Sequence, residues 1–340
     1  MNSLLRAAAA ALLAGIAGTG PAVAKDYVFA LVPKNLNNPF FDQARDGCMK
    51  AAQELSAKGT DKVSCQYIGP AEHGGGEEQL QVVSDLVAKH VAGISVSSSN
   101  AAAMATALRQ AKEAAIPVIT FDSDLLAKDT SLRLAYVGTR NYDIGVNLAK
   151  LAQQLKPHGG TICIQSGGAA AANHNERIEG IRDTLSGHTG GKPPGERLTG
   201  QNGWREVEGC PLYTNDDFVL AVQQMEDILG KYPNLDAFIP TGGFPQFVPE
   251  AYRRVAEKYK SRIQSHALAL VVADTLPAQI QLLKEGYSLG QVGQRPFEMG
   301  YKSMYMLFDA IHGKKPTDPT YTGLDVCKPD NAATCVGAGS

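Results

Sequence analysis

Residues 33–48 read PKNLNNPFFDQARDGC. The apolar run 27–32 leads into them. Phe41, Ala44, Cys48, Ala51, Ala52 and Leu55 then follow at spacings of three and four, one apolar helix face. A strand, a polar turn and a helix therefore succeed one another, with Pro39 near the helix start, where its missing N–H is no loss. The turn lies past the carboxyl end of the strand, where open α/β sheets hold ligands. It sets the carboxamides of Asn37 and Asn38 beside the rings of Phe40 and Phe41. Amides donate and accept hydrogen bonds and aromatic faces stack on C–H surfaces, so the mixture suits a ring bearing hydroxyls. A capped turn with two core phenylalanines is the alternative reading of the same residues.

Outward from this turn, strand and helix patterns alternate. Strands are expected at 63–68, 93–97 and 116–121, the last reading IPVITF before Asp122, with helices at 77–88 and 101–115 between them. Repeated β-α-β steps mean a parallel, doubly wound sheet. The grammar then restarts. Strands are expected at 134–137, 161–165, 237–240, 267–272 and 289–292. Helices are expected at 144–155, 173–185, 218–229, 248–259, 277–285 and 296–311. Residues 187–203, polar and rich in Gly and Pro, read as an excursion, and Trp204 beside them reads as packing. The fold class is α/β, with two doubly wound parallel-sheet units in succession.

The first 24 residues stand apart from this pattern. Arg6 is their one charge, 7–18 is apolar, and Ala22-Val23-Ala24 is an A-x-A cleavage site, the anatomy of a secretory signal peptide. No later stretch has the apolar length of a membrane span. No cysteine stands at the cleavage site to carry a lipid. The expectation is a soluble periplasmic protein beginning near Lys25. A formal net charge of −2 argues against nucleic acid or an anionic membrane surface as partner.

All six cysteines follow the leader, and export favours disulfides. Six allow fifteen pairings. The sequential one is favoured: Cys48 on the first helix with Cys65 in the next strand, Cys327 with Cys335 across a short polar loop, and Cys163 with Cys210. Zinc is the competing reading, but no C-x-x-C occurs and the seven histidines are scattered.

Several strand ends carry polar side chains: Asn37 and Asn38, Asp122, Asn175, Asp274 and Gln294. No G-x-S-x-G, P-loop, H-E-x-x-H or strand-following G-x-G-x-x-G accompanies them. Hydrogen-bonding groups without a nucleophile, base or metal set describe a binding cleft rather than an active site, and no cofactor is expected.

Six segments in order, NNPFF (37–41), IPVITFDSD (116–124), YVGTRNYDIG (136–145), NERIEG (175–180), ADT (273–275) and QVGQRP (291–296), give the chain a resemblance over nearly its whole length beyond the leader. It resembles the ribose/galactose-type periplasmic solute-binding proteins of ABC importers, whose core is shared with LacI-type repressors. The resemblance implies two lobes, 25–137 with 295–322 and 138–294 with 323–340, joined by crossings near 137–139, 294–296 and 321–324. It implies hinge closure on a small neutral polyol, delivery to a membrane permease, and a monomer. Carried over residue by residue, it places Asn38, Phe40, Phe41, Asp122, Asn175, Asp274 and Gln294 against the ligand. The two aspartates would accept from vicinal hydroxyls.

The chain departs from the ribose pattern. Ser123 and Asn175 stand where ribose binders carry arginines, and Gly242-Gly243, followed by Phe244, replaces an Asn-Asp pair. Two missing guanidinium groups imply a ligand other than ribose. Asp216 and Asp217 lie near a ligand-contacting loop, and Arg295 reads as either a ligand charge or a hinge residue. TFDSD and GPAE are also similar to segments of autoinducer receptors. Sugar, cyclitol, sugar alcohol and signal molecule all stay open, as does a sugar-processing enzyme in the same cleft. Loss of either aspartate is expected to weaken binding while leaving the empty protein's melting temperature nearly unchanged.

Overall fold

The computed structural model describes residues 24–72, 74–189 and 191–337. The leader expected at 1–24 lies outside them but for its last residue.

The first sheet is built from β1 (Asp26–Val32), β2 (Lys62–Tyr67), β3 (Gly93–Val96), β4 (Val118–Phe121) and β5 (Ala135–Gly138). The helices α1 (Pro39–Lys58), α2 (Glu77–Ala88) and α3 (Ala101–Glu113) connect them. Along β1 the side chains alternate between two buried layers. Phe29 and Leu31 enter one with α1, while Ala30 and Val32 enter the other with α2 and α3. A strand buried on both faces reads as a continuous apolar run, which is why FALV carries no polar alternation.

The second unit starts with α4 (Asn141–Leu155), β6 (Gly160–Ser166) and α5 (Ala172–Ser186). The excursion that follows returns as two short strands absent from the sequence reading, β7 (Trp204–Glu206) and β8 (Leu212–Tyr213). Trp204 is buried in the core against α4 and α5. Then come α6 (Phe218–Lys231), β9 (Ala237–Pro240), α7 (Pro249–Lys258), α8 (Lys260–Gln264), β10 (Ala269–Ala273), α9 (Pro277–Lys284) and β11 (Gly290–Gly293). The chain closes with α10 (Pro296–Ile311), β12 (Thr320–Tyr321) and β13 (Asp325–Cys327).

The two sheets repeat one order. The first runs β2-β1-β3-β4-β5-β12, all parallel. The second runs β7-β6-β9-β10-β11-β13, parallel except for its last strand. In each, the chain reverses direction across the sheet beside its first strand, so each has a switch-point crevice at the carboxyl ends of its strands. Three passages join the sheets: after β5, between β11 and α10, and between β12 and β13. At these passages Thr139 meets Thr322 (3.2 Å) and donates to the Gly323 carbonyl, and Arg295 pairs with Asp325 (3.0 Å).

Helix pairing repeats too. A Cβ on Gly47 of α1 would overlap the Phe297 carbonyl oxygen of α10, and one on Gly145 of α4 would overlap the Arg177 carbonyl oxygen of α5. Both pairs thus cross with backbones in contact. The second crossing fixes the height of α5, the helix that enters the cleft.

All three sequential disulfides are present, Cys48–Cys65, Cys163–Cys210 and Cys327–Cys335, and no free cysteine is found among the described residues. The last pins the C-terminal loop against Leu283. A loop spanning eight positions places the loss in a Cys327→Ser/Cys335→Ser variant at about 2 kcal/mol. Thermal denaturation should show a melting point about 4–8 °C lower.

Candidate ligand-binding cleft

The strand ends of the two sheets face one another across a cavity of about 280 Å³. One sheet contributes Lys34, Asn38, Phe40, Phe41 and Asp122. The other contributes Asn173, His174, Arg177, Asp216, Gly242, Phe244, Phe247 and Asp274, with Gln294 at a passage between them.

Two carboxylates hold equivalent places. Asp122 follows β4 and Asp274 follows β10, each the residue after the fourth strand of its order. Both have positive φ, 55° and 72°. That conformation disfavours most side chains but is tolerated by aspartate. Each is locked by its own N–H, which donates to the neighbouring strand, to Val137 O at 3.1 Å and Val292 O at 2.7 Å. The turn directs both carboxylates into the cavity, where each lines the wall.

Asp122 accepts from Ser97 Oγ at 2.7 Å and stands 3.8 Å from Lys34 Nζ. From the opposite lobe, Asn173 Nδ2 and Arg177 Nη2 reach it at 3.3–3.4 Å. Those contacts exceed the usual N–H···O length, while Lys34 donates to Asn173 Oδ1 at 2.9 Å. Asp274 accepts from the Gly243 N–H (3.0 Å) and from Gln294 Nε2 (2.9 Å). Burial pushes its carboxyl above the ordinary range, and the Arg177 charge opposes the shift. Burial likewise lowers the Lys34 ammonium, against the pull of Asp122 and Asp216.

Arg177 is 2 % exposed. Its guanidinium donates to Asn141 Oδ1 (2.8 and 2.9 Å) and to the Thr241 carbonyl (2.8 Å), which sets it flat against the cleft wall. His174 Nδ1 meets Thr241 Oγ1 at 3.0 Å. Rings close the cavity from both lobes. Phe40 lies edge-on to Phe41, whose ring in turn meets Phe121, and Phe244 tilts against His174. Asn38 spends its carbonyl as the N-cap of α1, accepting from Phe40 N at 3.0 Å. Gln294 lines the cavity, and its Oε1 is buried without a hydrogen-bond partner in the protein.

These groups nearly cancel in charge: two cations against three carboxylates, with a histidine among them. Such a wall favours a neutral ligand, since burying a charged one would leave an ion uncompensated. Among the described residues no cluster of three or more metal-ligating side chains occurs, and no helix is long and apolar enough to cross a membrane.

The model of the periplasmic binding protein domain matches residues 29–315. The chain belongs to this family. Among its relatives is the ribose import binding protein of Salmonella typhimurium, 23 % identical over 86 % of this chain and 88 % of that protein. The D-allose-binding periplasmic protein of Escherichia coli is 22 % identical over 91 % and 92 %. Among solved structures, an ABC transporter solute-binding protein of Burkholderia graminis C4D1M in complex with D-arabinose superposes with a TM-score of 0.76. It is 28 % identical, and the match covers 92 % of this chain and 99 % of that one.

Within this periplasmic binding protein, six of the seven expected site residues meet in the cavity wall: Asn38, Phe40, Phe41, Asp122, Asp274 and Gln294. Asn175 does not. Its amide donates back to the Ala169 carbonyl at 2.9 Å, outside the cavity. The reason is rotation: α5 starts at Ala172, so Asn173 and Arg177, four apart, share the cleft face, and Asn175 points roughly 200° from Asn173. Arg177 sets one guanidinium in the cavity wall, although neither position 123 nor position 175 carries an arginine. Arg295 pairs with Asp325 and Glu298 at the passage and does not line the cavity, whereas Phe244 and Asp216 do. Lys34, Phe247 and His174 were not expected. Lys34 lies inside the stretch quoted first, but a lysine in a polar turn ordinarily reads as solvated.

Proposed function

We propose that this protein captures a small neutral sugar between its lobes in the periplasm and delivers it to the permease of an ABC importer. The lobes are 25–137 with 295–322 and 138–294 with 323–340. The observation that carries this reading is the matched pair Asp122 and Asp274, one from each sheet, in a ring-lined cavity of about 280 Å³. Carboxylates accept from vicinal hydroxyls, and the phenylalanines cover the C–H faces of a pyranose or furanose. The wall is small and mixed, polar groups from both sheets beside aromatic rings, the lining that recognises a compact polyol.

Full affinity needs closure, because neither lobe holds the whole ring of partners. The long contacts from Asn173 and Arg177 to Asp122 are the ones that give way to ligand hydroxyls when sugar occupies the closed cleft. The relatives are named as binding proteins for ribose and allose, which supports an uncatalysed capture and release. A thermal-shift screen of pentoses, hexoses, inositols, sugar alcohols and autoinducer signals tests the reading. A cognate sugar at a hundredfold excess over its dissociation constant stabilises the fold by roughly 2.7 kcal/mol. No shift from any sugar, or a shift confined to the signal molecules, contradicts it.

The two asparagines of α5 give a sharper check. Asn173→Ala should weaken sugar binding about fivefold, the equivalent of one hydrogen bond near 1 kcal/mol. Asn175→Ala should leave the affinity unchanged within about twofold. Calorimetric titration of both variants separates the face that binds from the face that does not.

A further inference from the structure

A second cavity, of about 710 Å³ by the same measure, lies at the mouth of the cleft. Its walls come from both lobes: Asn37 and Glu72 on one side, Asn215, Asp217, Phe218 and Val219 on the other. The two cavities meet at Asp216, which lines both. On either side of that junction, neighbouring residues divide between them. Asn38 faces the inner cavity and Asn37 the outer, and Phe247 of the inner wall packs edge-on against Phe218 of the outer at 5.3 Å.

The outer wall repeats the inner chemistry of amides, carboxylates and an aromatic ring. It adds apolar side chains at its lip. Val219, on its wall, is 71 % exposed, and Val248 lines it as well. Asn215 and Asp216 both take positive φ, 48° and 58°, which bends the chain so that consecutive acids serve different places. Asp216 turns to the junction, while Asp217 caps α6, accepting from Leu220 N at 2.9 Å.

We propose that the outer cavity is a subsite for a second sugar ring, so that this protein takes a disaccharide whose terminal unit sits in the inner cavity. This rests on the sugar-binding reading of the inner cavity and extends it. On the sugar reading the inner site takes the terminal ring; the outer cavity, walled by both lobes and joined to the inner one at Asp216, receives the next across the glycosidic bond. Carboxylates and amides accept and donate to its hydroxyls, and Phe218 with Val219 covers an apolar face.

Titration calorimetry on the mature protein decides it, with D-glucose, D-galactose, D-allose, D-ribose and D-arabinose set against cellobiose, lactose, maltose and melibiose. At least one disaccharide should bind about tenfold more tightly than its free component sugars. Val219→Trp, at an exposed position where folding is insensitive to the change, fills the outer cavity. It should remove that advantage and leave monosaccharide binding unchanged, and Glu72→Ala should remove part of it. Free sugars that bind while every disaccharide binds more weakly would overturn the subsite and leave the sugar-binding reading standing. Disaccharide binding unaffected by both substitutions would overturn it too. Failure of both panels would overturn the sugar reading and the subsite with it.

Discussion

Asp122→Ala should weaken sugar binding by more than a hundredfold. On the proposed reading the carboxylate accepts from ligand hydroxyls, and across the cleft it is the partner of the buried Arg177 at 3.4 Å, which the closed form of the variant would leave unpaired. Hydrogen bonds to a charged group contribute about 1.5–3 kcal/mol, and leaving a buried ion without its partner costs about 3–5 kcal/mol. The lower end of the second range already exceeds a hundredfold in affinity, each 1.4 kcal/mol being about tenfold. The same geometry revises the expectation that the empty protein would melt unchanged. Lys34, only 2 % exposed and on the same lobe as Asp122, loses its carboxylate whether the cleft is open or closed. A lower melting point is therefore expected as well. Asp122→Asn keeps the shape and one acceptor oxygen, exchanging the other for a donor, and should lose less than the alanine on both counts. Titration calorimetry and thermal denaturation of the two variants measure the pair of effects. An alanine variant that binds as tightly as the parent would place the ligand elsewhere.

Sugar affinity should fall by about tenfold between pH 5.5 and pH 7.5, and Glu176→Gln should flatten the dependence. Glu176 sits on α5 and its carboxyl is pushed up to about 7, first by burial and then by Asp124 across the cleft. Arg177 and Arg140 oppose the shift, and Glu179 adds to it. Asp124 is itself fixed in place by the Arg133 fork at 2.6 and 2.8 Å. The sign follows from which state holds the proton. Below the ordinary carboxylate range, both closed and open or unfolded forms are protonated, and closure carries no penalty. As pH rises toward 7, the open form ionises first, so the closed form loses relative stability, up to about 3 kcal/mol if the whole shift arises on closure. Binding should accordingly take up a proton near pH 6, visible as a dependence of the apparent enthalpy on the ionisation heat of the buffer. A parent protein whose affinity is flat over this range contradicts the assignment. So does a Glu176→Gln variant that keeps the slope, which would move it to Asp274, whose carboxyl burial also raises.

Much of this architecture is legible in the chain because its strands are buried on both faces and its helices on one. FALV, VITF and ALVVA announce central parallel strands, and the polar residues that end them announce the cleft. Asp122 and Asp274 could be read this way because a strand end is a local signal. Lys34 could not. Its burial comes from Asn173 and Asp122, which the fold brings from 139 and 88 positions away, and nothing in PKNLNN distinguishes it from a solvated lysine. The two-residue slip from Asn173 to Asn175 has a different cause. Helix α5 begins in AAANHN with alanine at its N-cap and no capping side chain, so its start carries no sequence mark. Once the start is placed, the four-residue spacing of Asn173 and Arg177 picks out the cleft face at once. The strands β7 and β8 escaped because three and two residues in a polar segment carry no period. The disulfide Cys163–Cys210 gave the better clue that the excursion returns to β6.

The central claim is that two lobes close on one neutral sugar, and small-angle X-ray scattering of the mature protein during titration with the tightest-binding sugar of the screen tests it most directly. The account predicts a radius of gyration that falls as sugar is added and stops falling at one equivalent, with the sugar recovered unchanged. It also predicts that Asp122→Ala shows no such change at the same concentrations. Sugar that binds stoichiometrically with an unaltered scattering profile, or that is consumed, would contradict it.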